Sequence, residues 1–138
     1  MLLSARTSIR VRYAETDKMG IVYHANYLIW FEVGRSELFR EAGLPYTIFE
    51  DQGLGLAVIE ATCKYRRSAL YDDDLIIETK LESFTSRKVT FAYQVFRGET
   101  LLAEGKTVHA FINKEGRIVD ARKYPIWEAV LKVCDTIE

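Results

Sequence analysis

The sequence predicts an α+β fold in which an antiparallel sheet wraps around one long central helix. Two patterns along the 138 residues indicate it: one long, mainly apolar segment of helical character, and a later run of segments in which polar and apolar residues alternate. Short turns join those segments, so consecutive strands are expected to pair antiparallel. Because a helix that is apolar on most sides must be covered, we expect the sheet to curve around it.

The long helix is predicted over His24 to Ala42. Between Ala25 and Val33 it is apolar on nearly every side, interrupted only by Asn26 and Glu32, so this half is expected to be buried. The second half contains several charged residues and is expected to reach solvent. Gly43 is a natural stop at the C-terminal end of a helix.

One strand is predicted before the helix and four after it. The first is expected at Ser8 to Tyr13, and a short helix closes the chain near Ile126 to Val133. The four later strands are predicted at Ala57 to Tyr65, Leu75 to Leu81, Val89 to Phe96 and Leu101 to Ile112. In the first of these four, the odd-numbered residues are the more apolar, and in the third, Val89, Phe91, Tyr93 and Val95 share a face. Each set is expected to face the core.

The composition limits the classes of partner. The length suits one domain, expected over residues 1–138, and the formal net charge of −1 gives no general attraction for nucleic acid or an anionic membrane. No apolar run reaches the roughly 18 residues that span a bilayer, and the N-terminal residues lack the apolar core of a signal peptide. We therefore expect a cytoplasmic protein. The two cysteines, Cys63 and Cys134, have no metal-like spacing, and no metal is expected.

The segment from Tyr13 to Tyr27 brings together groups that suit acyl transfer. Asp17 lies seven residues before His24, too far to cap the helix directly, and Gly20 supplies a turn between them. A carboxylate acts as a nucleophile or a base, and the first amides of a helix, which have no intrahelical partner, polarise a carbonyl. A histidine at the start of a helix is more often structural. We therefore expect the backbone N–H of His24 to matter more than its imidazole.

Two segments carry a family resemblance. The stretch from Tyr13 to Glu32, Tyr-x-x-Thr-Asp-x-x-Gly-Ile-Val-Tyr-His-x-Asn-Tyr-x-x-Trp-Phe-Glu, resembles the signature of the 4-hydroxybenzoyl-CoA thioesterase family, in particular the YbgC-like acyl-CoA thioesterases. Residues 65–74 resemble the strand-turn-strand of that family, although Ser68 stands where a proline is often found. The resemblance implies the hot-dog fold and hydrolysis of an acyl-CoA to a free acid and CoA.

The resemblance also implies site residues. It makes Asp17 the catalytic carboxylate, as nucleophile or general base, and His24 the donor of a backbone N–H to the thioester carbonyl. Tyr23, Asn26 and Tyr27 lie at the start of the helix, where they are expected to shape the substrate site.

Coenzyme A carries phosphates, and their binding calls for cations. Arg87 and Lys88 lie in a predicted turn between two strands, where they either contact these phosphates or form an ordinary solvated basic turn. Arg66 and Arg67 form a second candidate pair. The coenzyme is part of the substrate, and no further cofactor is expected.

Several alternatives remain open from the sequence. A hot-dog hydratase or dehydratase would use a histidine with a carboxylate, and a non-catalytic acyl-CoA-binding module would bind without turnover. The acyl group is either aromatic or a short or medium aliphatic chain. Hot-dog proteins are at least dimeric, so a homodimer or a homotetramer is expected.

Overall fold

One five-stranded antiparallel sheet and one long helix dominate the computed structural model, which describes residues 3–134. The strands are β1 (Ser4–Arg10), β2 (Gly55–Tyr65), β3 (Asp74–Phe84), β4 (Lys88–Arg97) and β5 (Thr100–Ile112). The helices are α1 (Asn26–Glu41), α2 (Tyr46–Asp51) and α3 (Ile126–Val133), with short 3-10 turns at Tyr13–Glu15 and Ala121–Lys123. The α+β class and the antiparallel sheet are confirmed.

The strands lie in the order β1-β3-β4-β5-β2, and every neighbouring pair is antiparallel. The hairpins β3-β4 and β4-β5 follow the chain, whereas β1 and β2 occupy the two edges. Strand β1 ends earlier than predicted, at Arg10 rather than Tyr13, because its pairing with β3 ends where Arg10 faces Asp74. The chain then turns into the segment that contains Asp17.

Helix α1 begins at Asn26 and ends at Glu41, close to the predicted limits. It packs against the sheet with one face, whose buried residues are Tyr27, Trp30, Phe31, Gly34, Leu38 and Phe39. A Cβ added to Gly34 would lie 2.3 Å from Oγ1 of Thr79 on β3, so glycine permits this close approach. The prediction that the first half of the helix is buried on nearly every side is wrong for the single chain. Leu28 and Ile29 are 40% and 52% exposed because the sheet covers only the opposite face.

The predicted alternation of buried and exposed residues is confirmed in β4 and wrong in β2. In β4, Val89, Phe91, Tyr93 and Val95 are all buried, as predicted. In β2 the predicted inward face is wrong, since Ile59 is 50% exposed and Ala61 is exposed. Strand β2 is an edge strand, and its register with β5 shifts between Val58 and Glu60, which interrupts the alternation. Within the described residues, no helix is long and apolar enough to cross a membrane.

Candidate active site

A cleft of about 350 Å³ lies between the segment before α1 and the loop after β2. Its lining residues are Asp17, Met19, Ile21, Val22, His24, Tyr27, Tyr65, Arg66, Arg67 and Ser68. The cleft therefore contains the two residues expected to do chemistry, Asp17 and His24. The two segments are joined by short contacts: Ile21 bridges to Leu70, and the N–H of Val22 donates to the carbonyl of Ala69 at 2.9 Å.

Asp17 is half-buried and opens a tight turn. Its Oδ1 accepts the N–H of Met19 at 2.8 Å, and its own N–H donates to the carbonyl of Ile21 at 2.9 Å. Gly20 has φ of +80°, a conformation that favours glycine, and its N–H donates to the Asp17 carbonyl. The turn fixes one carboxylate oxygen and leaves the other oxygen, Oδ2, with no hydrogen-bond donor among the described residues.

Two consecutive backbone amides at the start of α1 have no acceptor. Within residues 3–134, the N–H groups of His24 and Ala25 donate no hydrogen bond. The flanking amides are all paired, from Val22 to Ala69, Tyr23 to Glu15, Asn26 to Tyr23 and Tyr27 to His24. Ala25 is the N-cap of α1, so the two free donors lie at the positive end of the helix dipole. His24 lines the cleft, so a carbonyl oxygen there would meet a donor that is already held in place.

Tyrosines form the other wall of the cleft. The Tyr65 hydroxyl donates to the carbonyl of His24 at 2.9 Å, and the Tyr65 ring lies edge-on to that of Tyr27 with a centroid distance of 5.0 Å. Burial raises the pKa of Tyr65 to about 12, so the phenol keeps its proton. Tyr27 is itself buried, and its hydroxyl accepts the N–H of Ala69 at 3.2 Å.

The structure gives the predicted motif residues different surroundings. Asn26 donates from Nδ2 to the carbonyl of Glu15 at 2.8 Å, which ties the start of α1 to the preceding segment. Tyr23 is 49% exposed and stacks at a tilt on the His24 imidazole, with ring centroids 4.5 Å apart. Glu15 and Tyr65 were not predicted as site residues, because their contacts connect residues that only the fold brings together.

The candidate cations divide between two places. Arg66 and Arg67 line the cleft, and Arg66 forms an ion pair with Glu104 at 3.0 Å. Arg87 and Lys88 lie at the β3–β4 turn, where Arg87 pairs with Asp120 at 3.8 Å. The hydrogen bonds from Arg122 hold the pKa of that aspartate well below its usual range.

The β3–β4 turn lies far from the cleft within one chain. Arg97, at the far end of β4, donates to the carbonyl of Ser68 in the cleft wall at 3.2 Å. Lys88 is nine residues earlier in the same strand, which corresponds to about 30 Å. The structure therefore does not bring Arg87 or Lys88 together with Asp17 in a single chain. Among the described residues, no cluster of His, Cys, Asp and Glu side chains is arranged to hold a metal ion.

Comparisons with known proteins agree with the fold and the motif. The profile of the thioesterase-like superfamily matches residues 11–133. The crystal structure of DHNA-CoA thioesterase from Staphylococcus aureus is similar with a TM-score of 0.88 and 33% identity, covering 94% of this chain and 90% of that chain. This similarity confirms the hot-dog fold.

Two relatives of known sequence cover most of the chain. A protein from Bacillus subtilis strain 168, provisionally named acyl-CoA thioesterase YneP, is 35% identical over 127 residues, which cover 89% of this chain and 91% of the relative. The acyl-CoA thioesterase YbgC of Haemophilus influenzae is 33% identical over 97 residues, covering 70% of this chain and 71% of the relative.

Proposed function

The chain belongs to the thioesterase-like superfamily, and we propose that it hydrolyses the thioester bond of an acyl-coenzyme A to a free acid and CoA. One observation carries the proposal: a carboxylate with one oxygen left to react, that of Asp17, lines the same cleft as His24, whose amide has no acceptor. The relatives named above as acyl-CoA thioesterases support the choice of substrate class.

The chemistry of a thioester suits this small set of groups. Its carbonyl is electrophilic and thiolate is a good leaving group, so the enzyme needs mainly an activated oxygen nucleophile and stabilisation of the oxyanion. Asp17 can attack the carbonyl to give an anhydride, expelling CoA thiolate, after which water hydrolyses the anhydride. Alternatively, Asp17 removes a proton from a water that attacks the carbonyl. Both routes release the same acid and CoA.

The amide of His24 supplies the oxyanion donor in this proposal. Removing one such donor typically raises the barrier by roughly 3–4 kcal/mol, so the helix start is expected to account for a large part of the rate enhancement. The neighbouring amide of Ala25 offers a second donor. Because the backbone supplies both, the reaction needs no imidazole, and we propose that it needs no bound cofactor.

A homodimer or homotetramer completes the proposed enzyme. Four exposed apolar residues, Leu28, Ile29, Val58 and Ile59, occur on α1 and on the edge strand β2, whose outer backbone groups lie open for pairing. A second subunit on this surface would bury them. It could also bring Arg87 and Lys88 of one chain toward the cleft of the other, where we propose that they bind the phosphates of CoA.

The remaining parts of the proposal concern the substrate contacts and the location. Tyr23, Asn26 and Tyr27 shape the start of α1 and thus the wall that the acyl-CoA meets. We also propose a cytoplasmic location, because coenzyme A, which the substrate carries, is an intracellular compound. Both aromatic and short or medium aliphatic acyl groups fit the chemistry of the cleft.

Thiol release from a panel of acyl-CoA thioesters tests the proposal. We expect the purified protein to release CoA from at least one member, with an equimolar amount of free acid. Binding of acyl-CoA in calorimetry without any product would instead identify a binding module. Hydration of an enoyl-CoA without thiol release would identify a hydratase, and either result would overturn the proposal.

A further inference from the structure

Glu15 is a buried carboxylate in the segment that carries Asp17. Its side chain is only 5% exposed. Its Oε1 accepts the N–H of Arg12 at 2.8 Å, and its Oε2 accepts Nε1–H of Trp30 at 2.9 Å. The Arg12 guanidinium lies 3.5 Å from Oε2 at the solvent edge. Both oxygens are therefore engaged, one by the segment before Asp17 and the other by helix α1.

These contacts keep Glu15 charged. Burial opposes the anionic form, yet the hydrogen bonds from the Arg12 backbone, from Trp30 and from the Arg12 side chain outweigh it, and the pKa of Glu15 is lowered. At neutral pH the carboxylate therefore accepts hydrogen bonds on both oxygens. A neutral amide in its place would present one acceptor oxygen and an NH₂ group, which cannot accept.

The backbone of Glu15 holds the other half of the cleft. Its carbonyl accepts the N–H of Tyr23 and Nδ2–H of Asn26, each at 2.8 Å. Tyr23 directly precedes His24. Glu15 is therefore bonded to α1 through its side chain and, through its backbone carbonyl, to the residues that flank the free amides. Asp17 lies two residues further along.

We propose that Glu15 is a positioning residue, which sets the carboxylate of Asp17 against the free amides of His24 and Ala25. This inference rests on the proposed thioesterase function. The carboxylate fixes the Asp17 segment to Trp30 on α1, while the carbonyl fixes residues 23–26 to the same point. Glu15 acts through these groups and does not line the cleft itself.

The need for a positioning residue follows from where the reacting groups lie in the chain. Asp17 belongs to a loop, and the donors belong to the start of a helix, so their separation depends on how the loop is held. A misplacement of about 1 Å between reacting groups can lower a rate by about 100-fold. Weakening the bond to Trp30 should therefore lower kcat, whereas the binding of substrate, which depends on the cleft walls, should change little.

Glu15→Gln tests the proposal, with Glu37→Gln as its matched control. Glu37 also forms an ion pair, with Arg40, but on the exposed part of α1 away from the cleft. We expect Glu15→Gln to lower kcat for thiol release by about 10- to 100-fold with KM within about threefold of the wild type. The control should keep the wild-type kcat. Trp30→Phe, which removes the same hydrogen bond from the other side, should lower kcat in the same way.

Combining Glu15→Gln with Asp17→Asn distinguishes a positioning role from a purely structural role. If Glu15 acts by placing Asp17, then Glu15→Gln should cause little further loss in the residual rate of Asp17→Asn, although any change in thermal stability should persist. An equal fold-loss in both backgrounds, or a wild-type kcat in folded Glu15→Gln and Trp30→Phe, would overturn the proposal. Absence of thioester hydrolysis by the wild-type protein would instead overturn the proposed function on which it rests.

Discussion

Two groups of polar residues, one in the cleft and one in the core, differ in whether their hydrogen-bonding atoms have partners. In the core, the Thr107 hydroxyl lies 2.5 Å from the Tyr93 hydroxyl and 2.9 Å from Nε2 of His109, and all three residues are buried. The Tyr93 ring stacks on that of Phe31 on α1, with ring centroids 4.2 Å apart. In the cleft, Asp17 keeps one oxygen uncommitted and two neighbouring amides have no acceptor within the described chain.

The difference shows that residue type alone does not identify the reactive region. The chain has two histidines: His109 is buried among fixed partners, and His24 lies exposed at the cleft. Buried and mutually bonded groups stabilise the fold, whereas groups that are held in place yet lack a partner are available to a substrate. Accordingly, changes in the core should alter stability, and changes in the cleft should alter the rate.

The largest expected effect on stability is the acid sensitivity contributed by His109. Burial, followed by the nearby Arg35 charge, lowers the pKa of His109 from 6.5 to about 4. Between these values the unfolded chain binds a proton that the folded chain does not, so the free energy of unfolding falls as the pH falls from 6.5 to 4. The difference between the two pKa values corresponds to about 3 kcal/mol in the free energy of unfolding. Urea unfolding of wild type and His109→Gln at pH 7 and pH 4 measures it.

The variant should lack this part of the pH dependence, since glutamine does not titrate. His24→Gln is the matched control, because it replaces the other histidine of the chain, which is exposed at the cleft and lies outside the core cluster. Equal losses of stability in wild type and His109→Gln would show that the core cluster does not exclude the proton.

Next in size is the effect of Tyr65→Phe in the cleft. The change removes the hydroxyl that donates to the His24 carbonyl and keeps the ring that contacts Tyr27. Loss of a hydrogen bond worth about 1 kcal/mol should lower kcat about fivefold, because the peptide that follows His24 is less firmly held. Tyr71→Phe, an exposed tyrosine beside Tyr13, should leave the rate of thiol release unchanged. A fivefold loss in both variants would remove the argument for Tyr65.

A smaller effect is expected from the basic turn between β3 and β4. Replacing Arg87 and Lys88 by Gln should raise KM for an acyl-CoA by about threefold, since exposed charge pairs contribute less than about 1 kcal/mol each. The KM for the matching acyl-pantetheine, which lacks the nucleotide phosphates, should not change. An equal rise in KM for both substrates would show that the turn does not bind the phosphates.

The smallest effect is expected from His24→Ala. The proposed function uses the backbone N–H at this position, which alanine retains, so kcat for thiol release should stay within about twofold of wild type. A loss of about 100-fold or more would assign the chemistry to the imidazole and favour the hydratase alternative.

The sequence was sufficient to predict those elements whose residue pattern depends on interactions with nearby residues. The alternation in β4 and the limits of α3 were predicted correctly because each depends on its own residues and its immediate core. The exposure of Leu28, Ile29 and Ile59 was not predicted, since it depends on which surfaces the sheet leaves uncovered. Likewise, Asp17 and His24 were recognisable from their motif, whereas the contacts of Glu15 with Trp30 and of Tyr65 with His24 join residues distant in the chain.

Thiol release by Asp17→Asn tests the central claim most directly. Asparagine keeps an oxygen that can accept the Met19 N–H, so the turn should survive and the thermal unfolding midpoint should match the wild type. We predict that kcat for the best acyl-CoA substrate falls by about 100- to 1,000-fold or more, as for removal of a principal transition-state contact. A folded Asp17→Asn variant with wild-type activity would contradict the account.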